Sequence, residues 1–140
     1  MIDQSRLAAL RDRFASLRGD YVRMGDEVAA LAKQCASERA DLCAALVGSI
    51  TAEHVRRNVD HAKLEPERFA TDPLTVTKVS GMTYAELEAA GVKPAQINSV
   101  RARETVLARK RTAHAHVGAR VRVWAAYMEG VERLAAEYSA

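Results

Sequence analysis

Apolar side chains recur every seven residues along the first third of the chain. Two interleaved series begin at Leu7 and Leu10, and Glu38 is the one charged residue in them. The first series continues through Phe14, Tyr21, Val28, Cys35 and Leu42, and the second through Leu17, Met24, Leu31, Glu38 and Ala45. Such spacing is typical of the a and d positions of a coiled-coil seam. It predicts a long amphipathic helix over residues 1–61, with a four-residue step to Leu46 and Ile50 that locally unwinds the supercoil.

The last third of the chain repeats the pattern. Steps of seven run from Val100 through Leu107, His114, Val121, Met128 and Ala135, and a second series comprises Lys110, Val117, Trp124, Val131 and Tyr138. Pro94 fits the first turn of a helix, where its missing N–H has no intrahelical partner to lose. We therefore expect a second long amphipathic helix in residues 94–140.

The connecting residues 62–93 have a different pattern. Pro66 and Pro73 interrupt a helix. The β-branched run Leu74–Val79 predicts a short extended segment. Thr83 and Glu86 have the spacing of a capping box, and Gly91 suits a left-handed helix end, so a short helix is expected between them.

These elements predict an all-α fold, a long antiparallel helical hairpin, coiled-coil-like, with a small mixed knob at the turn. With the turn centred near residue 77, Leu31 faces Trp124 and Met24 faces Val131. Pairing of the long helices between two chains, with 62–93 as a linker, fits the same pattern.

The predicted register has two consequences. Glu38, the acid in the first seam, comes near His114 and His116, and two polar breaks in one layer would fix the register. The N-terminal turns extend beyond the second helix, and an unpaired apolar stripe indicates contact with another copy or another protein. The residues assigned to this protein contact are Leu7, Leu10, Phe14, Trp124, Met128 and Tyr138.

Composition adds little about the surroundings of the protein. Sixteen arginines against five lysines are typical of GC-rich coding and suggest a bacterial or phage origin. There is no apolar run long enough to span a membrane and no secretory signal pattern. Cys35 and Cys43 lie about 12 Å apart along one helix, at about 1.5 Å per residue, so we expect two reduced thiols rather than a disulfide. Together these features favour a cytoplasmic protein, or a virion component if phage-encoded.

A basic segment over residues 101–122 indicates an alternative function, nucleic-acid binding. It contains seven basic residues against the single acid Glu104, and such a face can neutralise phosphates. The same residues could instead form a solvated helix face opposite acidic residues of the partner helix. The candidate nucleic-acid contacts are Arg101, Arg103, Arg109, Lys110, Arg111, Arg120 and Arg122.

Residues 83–103 resemble a helix-turn-helix. Gly91 stands at the turn, and Ile97 and Val100 would be inward anchors. The resemblance implies that the second helix would lie in the major groove, with Arg101 and Arg103 on phosphates. Leu87 departs from the motif, which has a small residue four positions before the glycine.

Motifs of catalysis are missing from the sequence. It has no GxSxG, phosphate-binding glycine loop, HExxH or dinucleotide fingerprint. No CxxC or HxxxH spacing indicates a metal site. We therefore expect that the protein is not an enzyme and that it binds no cofactor, metal or small-molecule substrate. The expected function is a non-enzymatic helical interaction or assembly protein, an oligomeric structural or scaffolding component of a bacterial or phage machine; the alternative is a DNA-binding protein using residues 83–103 and 101–122.

Overall fold

The computed structural model describes residues 3–57 and 73–139. Within these ranges the chain forms four helices and no strand. They are α1 (Gln4–Arg57), α2 (Pro73–Ser80), α3 (Tyr84–Ala89) and α4 (Pro94–Ser139). The predicted all-α fold, with two long helices packed against each other, is confirmed. The predicted end of the first helix near His61, and the start of the connecting segment at residue 62, lie outside the described residues.

Burial follows the predicted seam along α1. Every predicted position from Leu7 to Leu42 is buried or half-buried, whereas Ala45 is exposed. Leu46 is buried and Ile50 half-buried, as the four-residue step predicts. The buried face of α1 therefore moves with the step, and the helix continues through Gly48.

The chain packs as two compact units. The first joins α1 up to Ala32 with α4 from Thr105, and the second comprises Lys33–Glu104. In the first unit the helices are antiparallel: Arg11 binds Glu132, and Tyr21 stacks on His114. Two antiparallel helices with seven-residue repeats bury both seams in a two-layer packing.

The register within this unit differs from the sequence prediction. Leu31 and Met24 were expected opposite Trp124 and Val131, but Tyr21, three residues before Met24, already faces His114. The alignment is displaced by more than three helical turns of about 3.6 residues. Two helices with seven-residue repeats match equally well when one is shifted along the other by whole repeats. The turn position assumed in the sequence prediction therefore selected the wrong register.

The N-terminal apolar residues are consequently covered by this chain's own α4. Leu7 is 2% exposed, and Leu10 and Phe14 are half-buried. The expectation that these turns overhang the second helix is therefore wrong. Arg11, between them, reaches Glu132 near the end of α4.

The second unit has a core of its own, which α2 and α3 complete. Its buried residues are Leu42, Cys43, Leu46, Val79, Leu87, Val92, Ile97 and Val100. The predicted extended segment over 74–79 is wrong, because residues 73–80 form α2. Strand propensity is a weak local preference that packing overrides; here Val79 is fully buried while Val76 and Lys78 are exposed.

The turn into α4 matches the sequence prediction. The Thr83 side chain accepts from the Glu86 amide, and the Glu86 carboxylate accepts from the Thr83 amide. Gly91 has φ +112°, a left-handed conformation that glycine adopts without strain. Both features place Pro94 at the start of α4.

Candidate interaction surfaces

The residues predicted to contact another protein do not form one free surface. Leu7 and Met128 are buried. Leu10, Phe14 and Trp124 are half-buried in the seam. Tyr138 alone among the six is exposed, at 70%. Most of the set therefore holds the two helices of the first unit together, and Tyr138 remains available to a partner.

A second row of apolar side chains, which the sequence analysis missed, lies on one flank of α4, about 90° around the helix from the seam. We call Val123, Tyr127, Leu134 and Tyr138 the α4 row. Their exposures are 70%, 53%, 48% and 70%. At about 100° per residue these four positions fall within one narrow sector of the helix. Their spacings of four, seven and four residues were a usable signal beside the stronger seam repeat.

Two residues beside the α4 row, Trp124 and Gly130, shape its surface. The Trp124 ring meets the Tyr127 ring edge-on, with centroids 5.8 Å apart, so a half-buried seam residue supports an exposed one. Gly130 lies in the same sector of the helix, and a Cβ there would meet no atom within 4 Å. The row therefore has an open, side-chain-free position between Tyr127 and Leu134.

Three of the predicted nucleic-acid contacts are engaged within the chain. Arg103 forms an ion pair with Glu38 at 2.7 Å, and Lys110 lies 3.6 Å from Glu27. The Arg101 guanidinium lies 5.9 Å from the centroid of the Tyr84 ring. The expected meeting of Glu38 with His114 and His116 is thus replaced by the Glu38–Arg103 pair, because the register is displaced.

The other four predicted contacts are exposed and, within residues 3–57 and 73–139, have no ion pair. Arg109 and Arg120 lie along one edge of α4, and Arg111 and Arg122 along another, about 200° away at about 100° per residue. A helix presents one face at a time to a duplex, so the four guanidinium groups do not make one continuous basic face.

The helix-turn-helix-like segment is anchored by a polar cluster around Tyr84. The Tyr84 hydroxyl donates a hydrogen bond to the Glu104 carboxylate. Arg39 lies 4.6 Å from the Tyr84 ring centroid and donates to the Met82 carbonyl at 2.5 Å. Burial raises the pKa of Tyr84, and the hydrogen bond to Glu104 raises it further, against the opposing effect of Arg39. These contacts fasten α3 to α1 and α4.

The inward anchors of that segment are placed as the resemblance implies. Ile97 and Val100, the two expected anchors, are buried in the core of the second unit, and Leu87 and Val92 are buried beside them. Leu87, which departs from the motif, is fully buried. The segment thus has the packing of a helix pair, while its two forward arginines contact Glu38 and Tyr84.

An apolar groove of about 550 Å³ lies between α1 and α2. Its lining includes Ala40, Cys43, Val47 and Val76, with Arg39 among the residues at its border. Both cysteines are free and buried, and Cys43 Sγ lies 3.9 Å from the Val79 carbonyl oxygen. Among the described residues, no three histidine, cysteine or acidic side chains are grouped as a metal site would require.

No family model, curated protein or solved structure matches this chain. In the part of the chain that the structure describes, no helix combines the length and apolar character needed to cross a membrane.

Proposed function

We propose that this chain is a non-enzymatic helical interaction protein, an oligomeric structural or scaffolding component of a bacterial or phage machine that acts in the cytoplasm or in a virion. The observation that carries the proposal is the exposed α4 row. Contiguous apolar patches on a protein surface are typical of contacts with other proteins. Exposed tyrosines supply large contact areas at low conformational cost, which is why interfaces are enriched in them.

The packing of the first unit supports this role. Both seams are filled by side chains of the same chain, from Leu7 and Ala135 at one end of the unit to Leu107 toward the other. The α4 row is therefore additional apolar surface that the hairpin does not need for its own seam. A long helical pair with an exposed apolar flank can act as an arm that joins or spaces other subunits.

DNA binding remains the alternative, and the four exposed arginines favour it. Arg109 and Arg120 share an edge of α4, as do Arg111 and Arg122. The other three basic residues are less available to DNA phosphates, since each contacts another side chain of the protein; they are Arg101, Arg103 and Lys110. This distribution favours the α4 row over the basic residues as the functional surface.

The decisive experiment is capture of partners by the tagged full-length chain from its native extract, quantified by mass spectrometry. The test variant is Tyr127→Lys with Leu134→Lys, and the matched control is Val22→Lys, an exposed apolar residue of the same unit on α1. We expect specific proteins, or untagged copies of this chain, to be retained by wild type and control and lost from the test variant. Identical retention by all three, or none, contradicts the proposal.

A parallel measurement tests the alternative. Binding to duplex DNA is followed by fluorescence anisotropy at low and at moderate salt. Salt-dependent binding that falls in Arg109→Ala with Arg120→Ala, and persists in the Tyr127→Lys with Leu134→Lys variant, would favour the DNA-binding function instead.

A further inference from the structure

We infer that the α4 row binds the α4 row of a second copy of this chain in an antiparallel, two-fold symmetric dimer. The inference rests on the proposed interaction function and adds the identity of the partner. Its first support is the order of residues along the row. When two copies run in opposite directions, Val123 of one faces Tyr138 of the other, and Tyr127 faces Leu134. Every large side chain of the row then has a large apolar partner.

Gly130 stands beside the centre of that alignment. A Cβ there would meet nothing within 4 Å in this chain, so no internal contact requires a glycine. Glycine inside a helix is less stabilising than alanine. A second helix crossing at this point benefits from the missing side chain, because the backbones can approach closely. The glycine and the exposed apolar side chains thus both suit a second helix packed against the α4 row.

Charges beside the row favour the antiparallel direction. Around the helix axis, Glu137 lies about 70° and Arg122 about 130° from the centre of the row, both on the same side and toward its two ends. In the antiparallel alignment, Glu137 of one copy comes within one turn, about 5.4 Å along the axis, of Arg122 of the other. In a parallel two-fold alignment, this edge of one copy lies on the opposite side of the interface from the same edge of the other, so Arg122 and Glu137 of the two copies do not meet. Opposite charges across a helix pair select its direction.

The area is adequate for a weak, specific dimer. With tyrosine side chains burying about 150–250 Å² each, the four exposed residues offer on the order of 400 Å² per chain. Two copies would bury roughly 800 Å² before flanking alanines such as Ala126 are included, close to the roughly 1,000 Å² of a small biological interface. We therefore expect reversible association in the micromolar range.

Sedimentation equilibrium of the full-length chain, from about 1 to about 500 µM, measures the association. We expect wild type and Val22→Lys to pass from monomer to dimer, and Tyr127→Lys with Leu134→Lys to stay monomeric with an unchanged helical circular dichroism spectrum. Arg122→Glu should weaken the dimer, and adding Glu137→Arg should restore it. A wild-type chain that is monomeric throughout overturns the inference, as does a double variant that still dimerises with wild-type affinity.

Disulfide trapping tests the direction of the pair. Gly130→Cys should form a covalent dimer under mild oxidation, whereas Gly19→Cys on α1 should not; Cys35 and Cys43 are buried and give little background. Val123→Cys should cross-link with Tyr138→Cys and not with itself. Self-linking of Val123→Cys would overturn the antiparallel alignment. If the chain does not self-associate but native partners still depend on the α4 row, this inference fails while the proposed function stands.

Discussion

The ring of Tyr21 packs directly against Gly118 on the facing helix. A Cβ on residue 118 would come within 2.9 Å of Tyr21 Cε2, closer than side chains tolerate. The contact is reciprocated one turn away, where Gly25 of α1 leaves room for the His114 ring of α4. Tyr21 and His114 then stack with centroids 4.3 Å apart and planes 11° apart. Each helix thus accommodates a ring of the other at a glycine, which fits this register and disfavours a shift by one repeat.

We expect Gly118→Ala to destabilise the protein, because the added methyl displaces the Tyr21 ring. Overpacking costs about 1–3 kcal/mol, offset in part by the better helix propensity of alanine. The matched control is Gly19→Ala, where a Cβ meets nothing within 4 Å and a gain of about 0.5–1 kcal/mol is expected. Urea unfolding followed by circular dichroism measures both. If the two variants are equally stable, or if Tyr21→Ala does not relieve the effect of Gly118→Ala, the steric explanation fails.

The ion pair of Arg11 with Glu132 predicts a pH dependence. Hydrogen bonding to Arg11 holds the pKa of Glu132 below its usual value. A lowered folded-state pKa means that the stabilisation is present above the ordinary glutamate pKa, about 4.3, and is lost as pH falls through the folded-state value. Both groups are exposed, so the effect on stability is small and the titration is the sharper readout.

In Arg11→Gln we expect the Glu132 carboxyl to titrate at a higher pH than in wild type, as followed by carbon-13 nuclear magnetic resonance. Arg133→Gln is the control, since Arg133 forms its ion pair with Glu129. A Glu132 titration that is unchanged in Arg11→Gln would show that the two side chains are not paired in solution. One of the contacts that define the register of α1 against α4 would then be absent.

Tyr84 predicts a loss of stability at alkaline pH. Burial raises the pKa of Tyr84, and the hydrogen bond to Glu104 adds to the effect. A raised folded-state pKa means that the stabilisation is complete below the ordinary tyrosine pKa of about 10 and is lost as pH rises through the folded-state value. Ionisation of Tyr84 in the folded protein would place a phenolate beside the Glu104 carboxylate.

We therefore expect Tyr84→Phe to cost about 1 kcal/mol near neutral pH, where the hydrogen bond is lost, and to lose less further stability than wild type above about pH 10. Tyr138→Phe, at an exposed position, serves as the control. Unfolding free energies at pH 7 and in alkaline buffer give the comparison. Parallel pH profiles for wild type and Tyr84→Phe would contradict the assignment.

Two valines of α2 test the helix that replaced the predicted extended segment. Val79 is fully buried, whereas Val76 is 47% exposed. We expect Val79→Ala to destabilise the protein by about 2 kcal/mol through lost burial and a residual cavity. Val76→Ala should change stability by less than about 0.5 kcal/mol. Thermal unfolding measures both, and a larger effect at Val76 would show that this segment does not pack as a helix against the second core.

Residues of the candidate surface were only partly predictable. Tyr138 was recognised from the seven-residue repeat, but Val123, Tyr127 and Leu134 were not, because the stronger seam repeat accounted for the apolar character of α4. Conversely, Leu7 and Met128 were assigned to a partner and are buried within the chain. Exposure depends on which face of each helix is covered, and the covering helix lies more than a hundred residues away along the chain.

Local chemistry determined much of this protein from the sequence by itself. The Thr83–Glu86 capping box, the Gly91 turn and the start of α4 at Pro94 depend on contacts within a few residues, and each is found as predicted. The seven-residue repeats also identified most seam residues of both long helices, although Ala45, Lys110 and Tyr138 are exposed. Only the tertiary structure decided the register of α1 against α4 and the helical form of residues 73–80. Seven-residue repeats are satisfied by several alignments, so steric fit between distant residues, such as Tyr21 with Gly118, had to select one.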